Sequence, residues 1–412
     1  MNTLYNIFIA IVSALIPLAA LFDSKTRKFL RGRKDWRKEL KSWREKNHGE
    51  LIWFHAASLG EFEQGRPLME KIREQTPQKI LLLTFFSPSG YEVRRDYRQV
   101  NGVFYLPLDT AKNAGDFVHL LNPSLAVFIK YEVWPNYFKA LKFHGIRLIM
   151  ISVNFRENQR FFRGVMRWWW NGVLKNCQQF FTQNERTTQL LLDAGHPNVI
   201  TAGDTRYDRV FEVASHTSPP KELIEWKGID KLLIAGSTWP DDDKYIFEVI
   251  QKMNGWKVLF FPHNLNQTQI EWILKNCKAS RWSTRKQNSL APYNTIVVDE
   301  IGWLNSAYGV ADIAWIGGGF NKGIHNTLEA ASWGVPVCFG PKFEKFEEAK
   351  KLLALNSAKS ARNTDDFDCL ITAMKDEPWR ITAGATCRNF VFTNKGATGK
   401  IIAALLDEVN RQ

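Results

Sequence analysis

The sequence is poor in the residues that build disulfide frameworks and metal sites. Its 412 residues include only five cysteines, which are scattered and form no C-x-x-C pair. This pattern favours buried thiols in a reducing compartment and argues against a disulfide frame or a zinc site. Histidine, cysteine and carboxylate residues also form no cluster at metal-ligand spacing, so the sequence predicts neither a metal nor a cofactor.

Fixed-period repeats, low-complexity tracts and an early dinucleotide fingerprint are also missing. The first strand–helix unit carries no G-x-G-x-x-G, which disfavours dinucleotide binding. Acidic residues are fewer than basic ones, and the net charge of +13 favours an acidic partner: nucleic acid, an anionic membrane surface or a phosphorylated substrate. The ordinary apolar content argues against disorder, and the length indicates two or three domains.

The first residues form a long apolar segment. The run LYNIFIAIVSALIPLAALF, residues 4–22, has no charge and is about long enough to cross a bilayer as a helix. It lacks the basic start and the cleavage site of a secretory signal. A dense basic run follows at residues 23–46, and the positive-inside rule keeps that flank in the cytoplasm with everything after it. We therefore predict a single-pass anchor over residues 1–24, in preference to a buried helix. The flank would attract anionic lipids, which accounts for much of the charge without nucleic acid.

After the anchor, strand-like and helix-like segments alternate. Short apolar strand candidates separated by helical patterns are typical of parallel sheets with helices on both faces. A polar stretch with a Pro-Pro pair, residues 212–226, reads as a linker, after which the pattern restarts. The sequence therefore predicts an α/β protein of two doubly wound, Rossmann-like domains facing across a ligand cleft. The predicted domains are 25–213 and 214–395, followed by a C-terminal helix, 396–412, that packs back towards the first domain.

The second half carries a glycine-rich cluster, ADIAWIGGGFNKGIHNTLEAASWGVPVCFGP. A strand is predicted to end at Ile316, and Gly317–Gly319 would let backbone approach a ligand closely. A helix is predicted to begin near Asn326 or Thr327 and to end at Gly334, with Glu329 one turn in, where it could bind ribose hydroxyls. The alternative is a tight turn with a satisfied helix end.

A second cluster in the same half is AGSTWPDDD. Ser237 and Thr238 could hold a phosphate after a strand. The alternative is a helix N-cap with acidic residues placed for the helix dipole, and spacing alone favours that alternative.

In the first half, Ser58-x-x-Glu61 follows an apolar strand. This spacing is that of a helix capping box, but the end of a strand in an open α/β sheet is also where active sites lie. Further polar residues at predicted strand ends point to one lined cleft: Glu132, Asn154, Arg156 and Arg206.

The aromatic and basic segment 160–181 either lies at a membrane interface or is a crossover helix that packs on the sheet.

Taken in order, these motifs resemble the Kdo transferases of lipid A biosynthesis. The resemblance covers nearly the whole chain: the anchor, LGE at 59–61, EVWPN at 132–136, NFR ending at Arg156, QNE at 183–185, the Ser-Thr at 237–238, YGVADIAWIGGGF, HNTLEAASWGVPVCFGP and KFEEA. It implies a membrane-anchored glycosyltransferase of the GT-B fold that moves 3-deoxy-D-manno-octulosonate (Kdo) from CMP-Kdo to a lipid A precursor with inversion.

The resemblance also implies roles for individual residues. Glu61 would be the catalytic base, with Ser58 capping the helix alone and Gly60 leaving room for the acceptor. The predicted donor residues are Ser237, Thr238, His263, Gly318, Gly319, His325, Asn326 and Glu329. The sequence departs from the family pattern at Lys130, at Trp239-Pro240 and at Ile324.

Two other functions remain open from the sequence. One is a membrane-associated GT-B enzyme that uses a UDP- or ADP-sugar, and the other is an anchored scaffold without catalysis. Nucleic-acid binding is disfavoured because the basic residues cluster beside the anchor and form no recognition motif.

Overall fold

Each half of the chain folds around a parallel sheet of seven strands. The computed structural model describes residues 1–362 and 364–409. By its internal contacts the chain divides into a first unit, Met1–Asp208 with the segment that begins at Gly396, and a second unit, Arg209–Lys395. The parallel α/β architecture predicted from the alternating pattern is confirmed.

The sheet of the first unit has the strand order β3-β2-β1-β4-β5-β6-β7. Its strands are β1 Leu51–Ala56, β2 Ile80–Phe85, β3 Gly102–Tyr105, β4 Leu125–Ile129, β5 Arg147–Val153, β6 Gln179–Thr182 and β7 Val199–Thr201. Its helices are α1 Asn2–Phe22, α2 Ser24–Arg31, α3 Trp36–Lys46, α4 Leu59–Gln75, α5 Pro88–Arg94, α6 Ala111–Leu121, α7 Pro135–Phe143, α8 Arg167–Leu174 and α9 Glu185–Asp193. Helix α10, Thr205–His216, leads out of the unit, and α19, Ala397–Val409, belongs to it.

The sheet of the second unit has the order β10-β11-β9-β8-β12-β13-β14. Its strands are β8 Lys231–Thr238, β9 Trp256–Pro262, β10 Ser280–Arg281, β11 Thr295–Val297, β12 Ile313–Ile316, β13 Val337–Phe339 and β14 Ala358–Ser360. Its helices are α11 Lys221–Lys227, α12 Pro240–Lys252, α13 Gln267–Asn276, α14 Leu304–Ala307, α15 Thr327–Ser332, α16 Glu347–Ala354, α17 Thr364–Lys375 and α18 Glu377–Asn394, with short 3₁₀ helices at Trp282–Lys286 and Tyr308–Val310.

Hydrophobic side chains cover both faces of the first sheet. Along β1, Trp53 packs into one apolar cluster, while Ile52 and Phe54 pack into another on the opposite face. Strands buried on both faces read as continuous apolar runs, which is why the sequence showed them so clearly. Ile401 of α19 belongs to the same cluster as Phe54, so this last helix supplies part of the first unit's core.

The polar stretch read as a linker is mostly helical. Its residues belong to the end of α10 and to α11, and only residues 217–220 lie between these helices. Leu223 and Trp226 of α11 are buried, so this short helix packs on its surroundings in spite of its polar composition. The sequence did not predict this helix because its three apolar residues, Leu223, Ile224 and Trp226, lie in a short polar segment and show no recognisable period.

Candidate functional site

Glu61 lies at the carboxyl edge of the first sheet. It is in the first turn of α4, directly after β1, and is buried with 9% of its surface exposed. The hydroxyl of Ser58 donates a hydrogen bond to its carboxylate. Ser58 makes no side-chain cap to the helix, so the expectation that it caps α4 alone was wrong: its hydroxyl is engaged with Glu61. Gly60 is exposed, and within 4 Å a Cβ there would meet the Ser58 Oγ alone among the described atoms, at 3.8 Å.

A second carboxylate, Glu132, lies close to Glu61. It follows β4, the neighbour of β1, and accepts a hydrogen bond of 3.0 Å from Trp134 Nε1. Burial, together with the nearby negative charge of Glu61, raises the pKa of Glu132 to about 7. The structure therefore brings two predicted site residues, Glu61 and Glu132, together. The pKa of Glu132 lies near neutral pH, as is common for groups at functional sites.

Sequence reasoning missed His55, which lies beneath this pair. The side chain is fully buried, and its Nδ1 is 2.9 Å from Thr84 Oγ1. Its Nε2 is 3.9 Å from Glu132 Oε2 and has no hydrogen-bond partner among the described residues. Burial lowers the pKa of His55 to about 3, so its imidazole is neutral. The sequence feature that could have identified His55 is its position near the end of a predicted strand, shortly before Ser58 and Glu61.

The other predicted first-unit residues bond mainly to their neighbours. Asn154 donates to Gln183 at 2.9 Å, which joins the NFR and QNE motifs. Arg206 binds the carboxylate of Asp204 through two nitrogens, at 2.9 and 2.7 Å. Arg156 is exposed. Their predicted place in a lined cleft stays a prediction.

In the second unit, the glycine-rich turn packs against protein backbone. A Cβ at Gly317 would clash with the carbonyl of Ser237, and a Cβ at Gly319 would lie 2.5 Å from the amide nitrogen of Gly340. Gly318 has a φ of +92°, which favours glycine. The close approach that we expected for a ligand is therefore made by neighbouring chain segments.

Helix α15 begins at Thr327, as predicted, and ends at Ser332. Asn326 is its N-cap, and its side-chain oxygen accepts a hydrogen bond of 3.1 Å from the Leu328 N–H. The Asn326 amide also donates to Glu329 at 3.1 Å. This local structure is the satisfied helix end that the sequence left as the alternative, and both side chains remain half-buried.

Three aromatic rings stack beside this helix. The His263 ring lies 4.8 Å from Trp239 and 4.3 Å from His325, between centroids. The Trp239 indole N–H points at His325 Nε2, at 3.1 Å, so that nitrogen is the acceptor. Burial lowers the pKa of His325 to about 4, and burial also lowers the pKa of His263. The stack therefore joins two predicted donor-binding residues, His263 and His325, to Trp239, where the sequence departs from the family pattern. Its rings are uncharged at neutral pH.

A buried aspartate ties the Ser-Thr segment to the glycine turn. Ser237 has a φ of 56° and, with Thr238, ends β8. Asp242 in the first turn of α12 accepts hydrogen bonds from the N–H groups of Trp239, at 3.0 Å, and Gly318, at 2.8 Å. The acidic helix start that spacing favoured is confirmed, and the hydrogen bond between Asp242 and the glycine turn is a contact that the sequence did not predict.

Over residues 1–362 and 364–409, no group of three or more histidine, cysteine or carboxylate side chains is arranged to hold a metal ion. In the first unit, α1 is long and apolar enough to cross a membrane, by length and composition.

Several solved structures are similar to the whole fold. A putative UDP-N-acetylglucosamine 2-epimerase from Listeria monocytogenes superposes with a TM-score of 0.60 at 10% identity, covering 89% of this chain and 98% of its own. MurG from Acinetobacter baumannii superposes with a TM-score of 0.53 at 16% identity, covering 87% of this chain and 100% of its own. At this identity the similarity shows the fold, which is GT-B.

Sequence comparisons identify the family. Residues 34–209 match the family model for 3-deoxy-D-manno-octulosonic-acid transferase (kdotransferase). The 3-deoxy-D-manno-octulosonic acid transferase of Chlamydia pneumoniae is 30% identical over 332 residues, covering 75% of this chain and 74% of the relative. The enzyme of the same name from Chlamydophila psittaci is 27% identical over 342 residues, covering 80% and 78%. Because the Chlamydia pneumoniae relative is 30% identical and the match covers 75% of this chain and 74% of the relative, the chain belongs to the Kdo transferase family of glycosyltransferases.

Proposed function

We propose that this protein transfers Kdo from CMP-Kdo to a lipid A precursor during lipopolysaccharide core biosynthesis, with inversion at the anomeric carbon. The observation that carries the proposal is the buried Glu61 at a sheet edge, oriented by the Ser58 hydroxyl, in a chain of this family. We further propose that the protein is attached to the cytoplasmic side of the inner membrane.

In this reaction a hydroxyl of the acceptor attacks the anomeric carbon of Kdo. Glu61 accepts the hydroxyl proton as the new C–O bond forms and the bond to the CMP phosphate oxygen breaks. The Ser58 hydrogen bond fixes the carboxylate in one orientation, which a base needs if it is to meet the acceptor in line. The pKa of Glu132 is raised to about 7, so its carboxyl group is largely uncharged well below pH 7 and about half ionised at pH 7, which weakens its repulsion of the acidic substrates.

We assign donor binding to the second unit. The neutral stack of Trp239, His263 and His325 offers flat ring faces, and Asn326 with Glu329 supplies polar groups half-exposed beside it. Ser237, Thr238, Gly318 and Gly319 complete the predicted donor residues. The N–H of Gly318 already donates a hydrogen bond to Asp242, so other N–H or O–H groups must bind the phosphate of CMP-Kdo.

The test is Glu61→Gln in the full-length protein, incubated with CMP-Kdo and a tetra-acylated lipid A precursor. Loss of a general base lowers the rate by about 10²–10⁴-fold, so we expect a decrease of that size. Mass spectrometry counts the sugars transferred. The matched control is Glu63→Gln on the same helix, where the carboxylate pairs with Arg94 at 2.8 Å and the activity should persist.

A folded Glu61→Gln protein with wild-type turnover would overturn the assignment of the base. A donor screen tests the rest of the proposal: turnover with UDP- or ADP-sugars and none with CMP-Kdo would replace the donor. Absence of turnover with every donor would support the scaffold interpretation instead.

A further inference from the structure

Helix α1 has a covered face and an exposed face along its whole length. The partly or fully covered positions of α1 repeat with the period of the helix: Tyr5, Asn6, Ile9, Val12, Ser13, Ile16 and Ala20. Large apolar side chains occupy the opposite face and are more than half exposed: Leu4, Ile7, Phe8, Ile11, Leu15 and Leu18. This periodicity is that of a helix lying against a folded surface.

The first turn of α1 is hydrogen-bonded to the body of the first unit. The Tyr5 hydroxyl donates to Asp109 at 2.7 Å, and Asn6 Oδ1 accepts from the Asn136 side chain at 2.8 Å. Asn2 Oδ1 accepts from Trp169 Nε1 at 2.7 Å. Asp109 is itself buried and is held by the N–H groups that open α7. Three polar side chains within one turn are thus matched to partners of the same unit.

The segment that follows α1 is held to the same unit. Asp23 ends α1 and caps α2 through the Thr26 N–H, at 2.8 Å. Arg33, just beyond α2, donates to the carbonyl oxygens of Leu106, at 2.8 Å, and Phe86, at 2.6 Å. A helix of 21 residues spans about 31 Å, roughly the thickness of the bilayer's hydrocarbon core. If α1 crossed that core, its ends would lie on opposite sides and the first-turn bonds could not form.

We propose that α1 does not cross the membrane but lies against the first unit, with its exposed apolar face in the interface of an anionic bilayer. The inference rests on the membrane attachment proposed above and is independent of the reaction. This proposal replaces the single-pass topology that the sequence predicted. That prediction used only hydropathy and flanking charge, which contain no information about contacts between α1 and the folded unit.

A patch beside the first turn of α1 extends this lipid-facing surface. Phe143 and Trp168 are 84% and 65% exposed, and both line a cavity of about 760 Å³ that also reaches Asn6. Lys139 and Lys142 line the same cavity. Exposed aromatic rings beside lysines suit the boundary between acyl chains and anionic headgroups, which identifies the partner as a lipid surface rather than another protein.

Thiol labelling of the full-length protein tests the topology. Thr3→Cys and Lys25→Cys, both at exposed positions, are placed separately in a Cys277→Ser, Cys369→Ser background. A membrane-impermeant maleimide is applied to sealed spheroplasts and to inverted inner-membrane vesicles. We expect Lys25→Cys to be labelled only in inverted vesicles and Thr3→Cys to stay unlabelled in spheroplasts. Labelling of Thr3→Cys in spheroplasts would overturn the proposal.

A cross-link gives a second measurement that lipid shielding of Thr3 does not affect. Asn6→Cys and Lys139→Cys line one cavity, so a short flexible bismaleimide should join them in intact membranes. The control pair is Leu18→Cys with Lys139→Cys, about 18 Å further along the same helix, which should not be joined. No cross-link between positions 6 and 139 would contradict docking. Protein found only in the soluble fraction would instead contradict membrane attachment, and neither result depends on Kdo transfer.

Discussion

At the scale of single residues, Ser58 bonds to the side chain of Glu61 instead of capping α4, and we propose that it positions Glu61 for proton transfer. Its hydroxyl donates to Glu61 and leaves the helix start without a side-chain cap. We expect Ser58→Ala to lower kcat about fivefold, since one orienting hydrogen bond is worth about 1 kcal/mol, with little change in melting temperature. The measurements are steady-state kinetics and thermal unfolding.

The control for Ser58 is Thr110→Ala, because Thr110 does cap a helix, accepting from the Asn113 N–H at 3.1 Å. That variant should lose about 1 kcal/mol of stability and keep its kcat. The same loss of stability in both variants, with kcat intact, would show that Ser58 acts only in folding.

Glu132 gives a prediction about pH. Its folded pKa of about 7 lies above the unfolded value, so the stability linked to its neutral form is fully present below the unfolded pKa and is lost as pH rises through 7. Glu132→Gln removes this dependence. Between pH 5 and pH 8, wild type should lose about 1–3 kcal/mol relative to the variant in denaturant unfolding. Parallel stability curves would contradict the shift.

At the scale of elements, the glycine-rich turn fixes β12 against neighbouring backbone. Gly319→Ala would place a Cβ 2.5 Å from the Gly340 amide nitrogen, and backbone cannot move aside cheaply. We expect a loss of about 2 kcal/mol or more in the free energy of unfolding. The control is Gly115→Ala within α6, where a Cβ meets no described atom within 4 Å and helix propensity should raise stability by about 0.5–1 kcal/mol. Equal effects at both positions would refute the steric argument.

The sequence predicted the elements better than their connections. The central strands were visible because both sheets bury them on both faces. The strands β7, β10 and β14 have only two or three residues, which is too short to show a period in the sequence. The Ser58–Glu61 spacing is the same for a cap and for the observed side-chain bond, so only side-chain geometry separates them. The stack of Trp239, His263 and His325 joins three distant segments that no local pattern relates.

At the scale of the whole molecule, the net charge of +13 works together with the apolar face of α1. Binding of the full-length protein to vesicles should be stronger with anionic than with zwitterionic lipids, and added salt should weaken only the anionic preference. Vesicle co-sedimentation at about 0.05 and 0.5 M salt measures this. The Debye length is about 10 Å at 0.1 M and becomes shorter as salt is added, so the higher concentration screens the attraction between the protein and anionic headgroups. Equal binding to both lipids at low salt would show that the charge serves another purpose.

The residues that bind the first turn of α1 also have a kinetic consequence. Asp109 and Asn136 follow β3 and β4, at the same carboxyl edge of the sheet where Glu61 follows β1. If α1 lies in the headgroup layer as proposed, Glu61, the proposed base, lies at a fixed height above the leaflet. The sugar of the proposed lipid acceptor can then reach Glu61 while its acyl chains stay in the membrane. Encounter then becomes a two-dimensional search. Turnover should follow the mole fraction of acceptor in the membrane, so that adding inert lipid slows the enzyme even when the bulk acceptor concentration is unchanged.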